Sequence, residues 1–173
     1  MSFTEQNLEV VVVSPARVYA LGTISESNVP VRMMNLYLRN RFGFVPHTGL
    51  GRGSYVHIND VVHGHVLAME EGGVGEEYLL GGTNVNYLEF FETVADVTGK
   101  SYPVIKVPYP MSLFIGKSQL FLAESLGIQP KITTPWVRKY LKDWGVDSTK
   151  IGQLGYQPMD LRVGLKHVFE TTF

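Results

Sequence analysis

The sequence predicts an α/β fold, with short strands alternating with amphipathic helices. Three observations predict it. Val10 to Val13 form a β-branched apolar run stopped by Ser14-Pro15, the pattern of a strand covered on both faces. Further short apolar segments alternate with stretches whose apolar residues recur at helical spacing. Helix start and stop signals sit at the ends of those stretches.

In order along the chain, Leu8 to Val13 reads as a strand, and Val31 to Phe42 as a helix opened by Pro30 and ended by Gly43. The glycines at 49, 51 and 53 mark a loop, and Ser54 to Ile58 a strand. Asn59 or Asp60 then caps a helix through Glu71, with Gly72-Gly73 as its stop. Glu77 to Leu80 is a strand halted by Gly81-Gly82. Asn86 with Glu89 three residues on predicts a capping box, and Gly99 closes that helix. Val104 to Val107 is a strand, and Pro110 opens a helix reaching Gly127. Thr134-Pro135 starts another helix, Ser148 to Leu154 is a short one closed by Gly155, and Asp160 caps the last. Phe90, Phe91, Trp136, Tyr140 and Trp144 are expected in the core.

Composition excludes several classes. Apolar residues at 45% and charged residues at 18% are globular proportions, so wholesale disorder is not expected. Lys and Arg total 15 against 16 Asp and Glu, so no basic excess exists to grip a nucleic-acid backbone. The chain has no Cys, which removes disulfides, thiolate metal sites and thiol nucleophiles. The N-terminal run of four valines is far short of a membrane span, so a cytoplasmic protein is the expectation.

Some local patterns carry no chemistry. Gly116-Lys117-Ser118 resembles the end of a phosphate loop, but Met111 stands where its first glycine belongs. Tyr102 and Lys106 have a spacing that serves proton transfer on one helical face. Pro103 and the β-branched residues between them predict an extended segment instead, with the pair about 13 Å apart. His63 and His65 are two apart on a helix and point to different sides, so no metal site is expected.

Four stretches, in order, carry a resemblance. They are Val11-Val12-Val13-Ser14-Pro15-Ala16-Arg17-Val18-Tyr19, Ser54-Tyr55-Val56-His57-Ile58-Asn59-Asp60-Val61-Val62-His63-Gly64-His65, Gly75-Glu76-Glu77-Tyr78-Leu79-Leu80-Gly81-Gly82-Thr83-Asn84, and Asp147 through Tyr156. Together they resemble the C-terminal half of extended short-chain dehydrogenases/reductases, the NAD-dependent epimerase/dehydratase family, in its dihydroflavonol-reductase-like branch. The resemblance covers nearly the whole chain. It implies the C-terminal part of an NAD(P)-binding Rossmann-like fold, with residues 1–30 supplying a late sheet strand and the nicotinamide-edge loop. Residues 31–173 would supply the substrate lobe.

A full member carries a Gly-x-x-Gly-x-x-Gly loop and a helical Tyr-x-x-x-Lys before the strand that Val11 opens; neither is in this sequence. The resemblance therefore implies a chain that is not catalytic alone, assigns no catalytic residue, and puts NAD or NADP in the parent enzyme rather than tightly on this chain. It places Ser14, Pro15 and Val18 at the cofactor's nicotinamide edge, and Arg17, Tyr19 and His57 at a small-molecule substrate. A regulatory domain that buries its exposed sheet edge in a homodimer or partner is the alternative. Two departures stand out. The usual Tyr-Gly-Pro is Tyr19-Ala20-Leu21, and Gly53 stands where sugar-nucleotide enzymes carry a phosphate-binding arginine. Arg52 is the adjacent candidate to substitute for it.

Overall fold

The structure is a computed structural model that describes residues 8–20, 28–41, 44–46, 51–126, 137–138 and 142–170. Its elements run β1 (Val12–Pro15), β2 (Arg17–Tyr19), α1 (Val29–Leu38), β3 (Phe44–Pro46), β4 (Arg52–His57), α2 (Ile58–Glu71), β5 (Glu77–Leu80), β6 (Thr83–Asn86) and α3 (Tyr87–Thr98). Then follow β7 (Ile105–Val107), α4 (Tyr109–Leu126), α5 (Thr149–Gly152) and α6 (Leu161–Glu170). The α/β expectation holds.

β1 lies parallel to β5, with Val12 opposite Glu77 and Pro15 opposite Leu80. The ladder takes in only the last two residues of the apolar run and continues through Ser14 and Pro15, so the strand expected over Leu8 to Val13 is displaced toward the C-terminus. Partner geometry explains this. Val12 N–H bonds Glu76 O and Ala16 N–H bonds Leu80 O, each at 2.9 Å. By the period of two, Pro15 turns its missing donor to the other edge, where the β5 ladder does not need it. Nor is β1 covered on both faces: Val12 remains 48% exposed.

A single residue, Ala16, separates β1 from β2, and the partner changes there. β2 pairs in parallel with β4, Arg17 opposite Tyr55 and Tyr19 opposite His57. β4 pairs on its other side with β6, antiparallel, Tyr55 opposite Thr83. β6 was not legible in the sequence, because Thr83-Asn84-Val85-Asn86 has too few apolar residues to announce a strand. β3, three residues with a proline, was missed for a similar reason; it pairs in parallel with β7.

The β2–β4 pair separates two apolar clusters. One gathers Tyr19, Tyr55, Phe90, Phe91, Leu161 and Leu165 with α1, α3 and α6. The other gathers Val56, Val61, Ala68, Tyr78, Leu80 and Ile151 between α2 and β5, with Val18 against it. Strand alternation produces the division: Arg17, Tyr19, Tyr55 and His57 face one way, Val18 and Val56 the other.

Helix ends refine the expectations. Asn28 caps α1 through its side chain, and Asn40 at φ 53° turns the chain away, so the helix stops at Leu38 rather than reaching Phe42. α2 is capped by His57, whose Nδ1 accepts the Asn59 N–H, and not by Asn59 or Asp60. Asp60 sits within the first turn, and its carboxylate accepts the Met159 N–H at 3.0 Å. The expected α3 box is present, Asn86 Oδ1 accepting from Leu88 and Glu89 while Glu89 accepts from Asn86 N–H. Asp160 accepts from Arg162 N–H at the start of α6, as expected. α5 is shorter than predicted, and Ser148 does not cap it; its Oγ accepts the Gly81 N–H instead. Phe90 and Phe91 are core, but Trp144 is 43% exposed, because its backbone N–H is tied to Arg52 O at the rim of β4. Trp136, Tyr140 and the helix stops expected at Gly43 and Gly127 fall outside the described residues. Tyr102 precedes β7 and Lys106 lies within it, so the two do not share a helix; Gly116 to Ser118 lie inside α4.

Replacing Asn86 by Ala removes the side-chain half of the α3 box and should cost about 1 kcal/mol of stability. Urea unfolding measures it, and an unchanged midpoint would show that tertiary contacts alone hold this helix start.

Candidate functional site

The residues assigned by resemblance flank the β1–β2 junction. Ser14 shares the outer face of β1 with its Oγ donating to Glu77 Oε1 at 3.0 Å. Pro15 is exposed at the strand's end. Val18 turns the opposite way from Arg17 and packs on the α2 cluster, so its side chain is a core group and only its backbone lies along the junction.

Arg17, Tyr19 and His57 do share one face, as the strand period and the β2–β4 register require. They differ in what reaches solvent. Tyr19 is fully buried and His57 is 3% exposed, whereas Arg17 is half-buried. The Tyr19 ring meets His57 edge-on at 5.5 Å, and His57 meets His167 edge-on at 5.3 Å. The Tyr19 hydroxyl lies against Gly164, where a Cβ would fall 2.1 Å away, so α6 can approach only through a glycine. That hydroxyl has no hydrogen-bond partner among the described residues. Burial raises its pKa, and Asp60 and Asp160 push the same way, so the phenol stays protonated.

Around Arg17 the structure gathers residues that sequence reasoning missed. Its Nη1 donates to the Tyr55 hydroxyl at 3.2 Å. The guanidinium carbon stands 5.5 Å from the Tyr55 ring centre and 5.4 Å from that of Tyr87. Gly53 lies beneath it, and a Cβ there would fall 2.0 Å from Nη1. The sequence did hold a signal: Gly53 and Tyr55 are two apart on one strand and so share a face. Tyr87 arrives only through the β6–α3 turn and had none.

Arg52 takes another course. It is exposed, and its Nε and Nη2 donate to Asp143 Oδ2 at 2.9 and 2.7 Å. That bond, with the Gly145 N–H, holds the Asp143 carboxyl below its usual range. The pair borders an open polar cleft of about 650 Å³ with Asn84, Asp147 and Ser148. Adjacent strand residues point to opposite faces, so Arg52 does not take the place of a side chain at Gly53.

No cluster of three or more metal-ligating side chains occurs among the described residues, and no helix there is long and apolar enough to cross a membrane. At the N-termini of α1, α2 and α3 the side chains of Asn28, His57 and Asn86 accept first-turn N–H groups.

Burial lowers the His57 pKa from its ordinary 6.5, with His167 adding to the shift and Asp60 opposing it. A folded value below the unfolded one gives stability that is present above 6.5 and lost as pH falls toward the folded value. Protonating Nδ1 would also break the α2 cap. Acidification from about pH 7.5 to 5.5 should therefore reduce urea stability more in the wild type than in His57→Asn, which keeps a cap acceptor and does not titrate. Equal losses in the two proteins would remove His57 as the cause.

No protein-family model matches the sequence, and no curated protein matches it. Solved structures do share its fold. One, the crystal structure of gox2253, is 25% identical with a TM-score of 0.74, over 96% of this chain and 49% of that one. A UDP-glucose 4-epimerase from Thermotoga maritima, solved with UDP-glucose, is 22% identical with a TM-score of 0.67, over 98% and 48% of the two chains. A dTDP-glucose 4,6-dehydratase from Bacillus anthracis, in complex with NAD, is 16% identical with a TM-score of 0.64, over 97% and 46%. This chain thus adopts a fold found within NAD-dependent epimerases and dehydratases, and it spans about half the length of the structures it matches.

Proposed function

We propose that this chain is the C-terminal, substrate-binding portion of an NAD(P)-dependent epimerase, dehydratase or reductase of the dihydroflavonol-reductase-like type. The reading is carried by one observation. A parallel strand ends at Pro15, and one residue later the chain moves into a second sheet, beside a crossover that runs through α2 into β5. In open α/β sheets, ligands bind beyond the carboxyl ends of strands where such partner changes occur. Ser14, Pro15 and the Val18 backbone then border the nicotinamide ring, and Arg17 is the substrate contact that keeps access to solvent. Tyr19 and His57 stand behind it as the packed wall that sets its position. When bound, NAD(P) supplies hydride transfer at a carbonyl or sugar carbon; these residues bind, orient and exclude water.

Calorimetric titration tests the reading. The chain alone should show no saturable binding of NAD or NADP, and saturable binding would overturn the assignment of the cradle to other residues. Joined to the part of a Thermus thermophilus UDP-glucose 4-epimerase that lies outside the matched span, it should recover NAD binding; that enzyme was solved with NAD and matches over 47% of its length.

A second reading, a regulatory domain that buries its sheet edge in a homodimer or partner, is favoured by one feature. Val12 and Leu79 are exposed on the outer face of β1 and β5, and Ile58, Val62, Val66 and Met69 form an exposed stripe along α2. Light scattering separates the readings, since a strictly monomeric chain counts against this one.

A further inference from the structure

Arg17 is a half-buried cation that meets no carboxylate among the described residues. Among the described residues, Arg52, Lys150 and Arg162 each meet a carboxylate, of Asp143, Glu76 and Asp96. Arg17 meets phenols: Tyr55, 1% exposed, and Tyr87, 4% exposed, flank its guanidinium, and Tyr55 accepts one of its hydrogen bonds. Aromatic faces attract a guanidinium, and a neutral hydroxyl accepts from it, but neither cancels its charge. Withdrawing a cation from water without a counter-charge is unfavourable, and the fold could have avoided it with an apolar side chain. What the arrangement does achieve is orientation. The rings fix the plane of the guanidinium, and Gly53 leaves the room it occupies, since a Cβ there would fall 2.6 Å from Cζ. The remaining N–H donors form a planar fork of the shape that carboxylate and phosphate oxygens match.

We propose that Arg17, held between Tyr55 and Tyr87 above Gly53, is a binding site for an anionic group, carboxylate or phosphate, carried by the substrate. This rests on the reading of β2 as a wall of the substrate crevice and adds the substrate's charge. It also assigns a use to Gly53, as the vacancy that admits a guanidinium from the neighbouring strand.

The test titrates inorganic phosphate and succinate separately into the full 173-residue chain, following by NMR the backbone amide resonances of positions 17, 53, 55 and 87, which every variant retains. Saturable shifts are expected. Arg17→Gln should weaken binding by about tenfold or more, the scale of a lost charge-assisted hydrogen bond. Gly53→Ala should also weaken it, with Arg17 still present, because the new methyl displaces the guanidinium. Arg52→Gln should leave it unchanged. Arg17→Met, which removes the uncompensated cation and keeps the volume, should raise Tm, whereas a guanidinium serving only to brace the two rings would lower it. Saturation by phosphate alone assigns a phosphate-bearing substrate, and by succinate alone a carboxylate. The site is overturned if neither anion saturates, or if Arg17→Gln binds as the wild type does. None of these measurements involves NAD, so this proposal and the functional assignment fail separately.

Discussion

The hydrogen bond from Ala16 N–H to Leu80 O, 2.9 Å long, joins the two places where this chain changes sheets. On one side β1 gives way to β2 across Ala16; on the other β5 gives way to β6 across Gly81-Gly82. The second junction is locked by its neighbours. Ser148 Oγ accepts the Gly81 N–H, Ser54 Oγ accepts the Gly82 N–H, and the Tyr156 hydroxyl donates to Gly81 O. Gly82 approaches the Tyr55 carbonyl so closely that a Cβ would lie 2.0 Å from its oxygen. Backbone contact at that distance admits only glycine. With both junctions pinned at one level, β4 is held between β2 and β6, with Tyr55 in one apolar cluster and Val56 in the other.

That arrangement explains why the residues after Pro15 behave so differently from one another. Val18 enters the cluster beneath α2, and Tyr19 enters the one beneath α6. Arg17 enters the same side as Tyr19 but nearer the strand's start, where Gly53 leaves space instead of a side chain. Burial thus falls steeply across three residues, from a core phenol to a half-buried cation. Desolvation raises the Tyr55 and Tyr87 pKa values, and Arg17 opposes the rise in both, so the ring pair stays neutral around a fixed positive charge.

Much of the fold was legible because the signals were local. The Asn86–Glu89 box, the Asp160 cap and the strand at Glu77 to Leu80 each depend on residues a few positions apart. β3 and β6 were not legible, because neither has an apolar pattern of its own; each exists through the ladder its partner offers. His57 was misjudged for a related reason. Asn59 and Asp60 are residue types that cap helices and stand at the expected start, yet the Asp60 carboxylate instead accepts the Met159 N–H, 99 residues distant. Long-range hydrogen bonds of this kind leave no trace in local composition.

The sequence by itself determined the α/β alternation, the helix caps that lie within one turn of their partners, and, within a strand, the sharing of a face by Arg17 with Tyr19 and by Gly53 with Tyr55, since all follow from periods of 2.0 and 3.6 residues. Only the tertiary structure decided which of those residues meets water. Side-chain exposure depends on what a distant segment brings: Gly164 of α6 closes over Tyr19, and Tyr87 of α3 closes beside Arg17 without covering it. Periodicity assigns a residue to a face; packing between elements far apart in the chain decides whether that face is a core or a site.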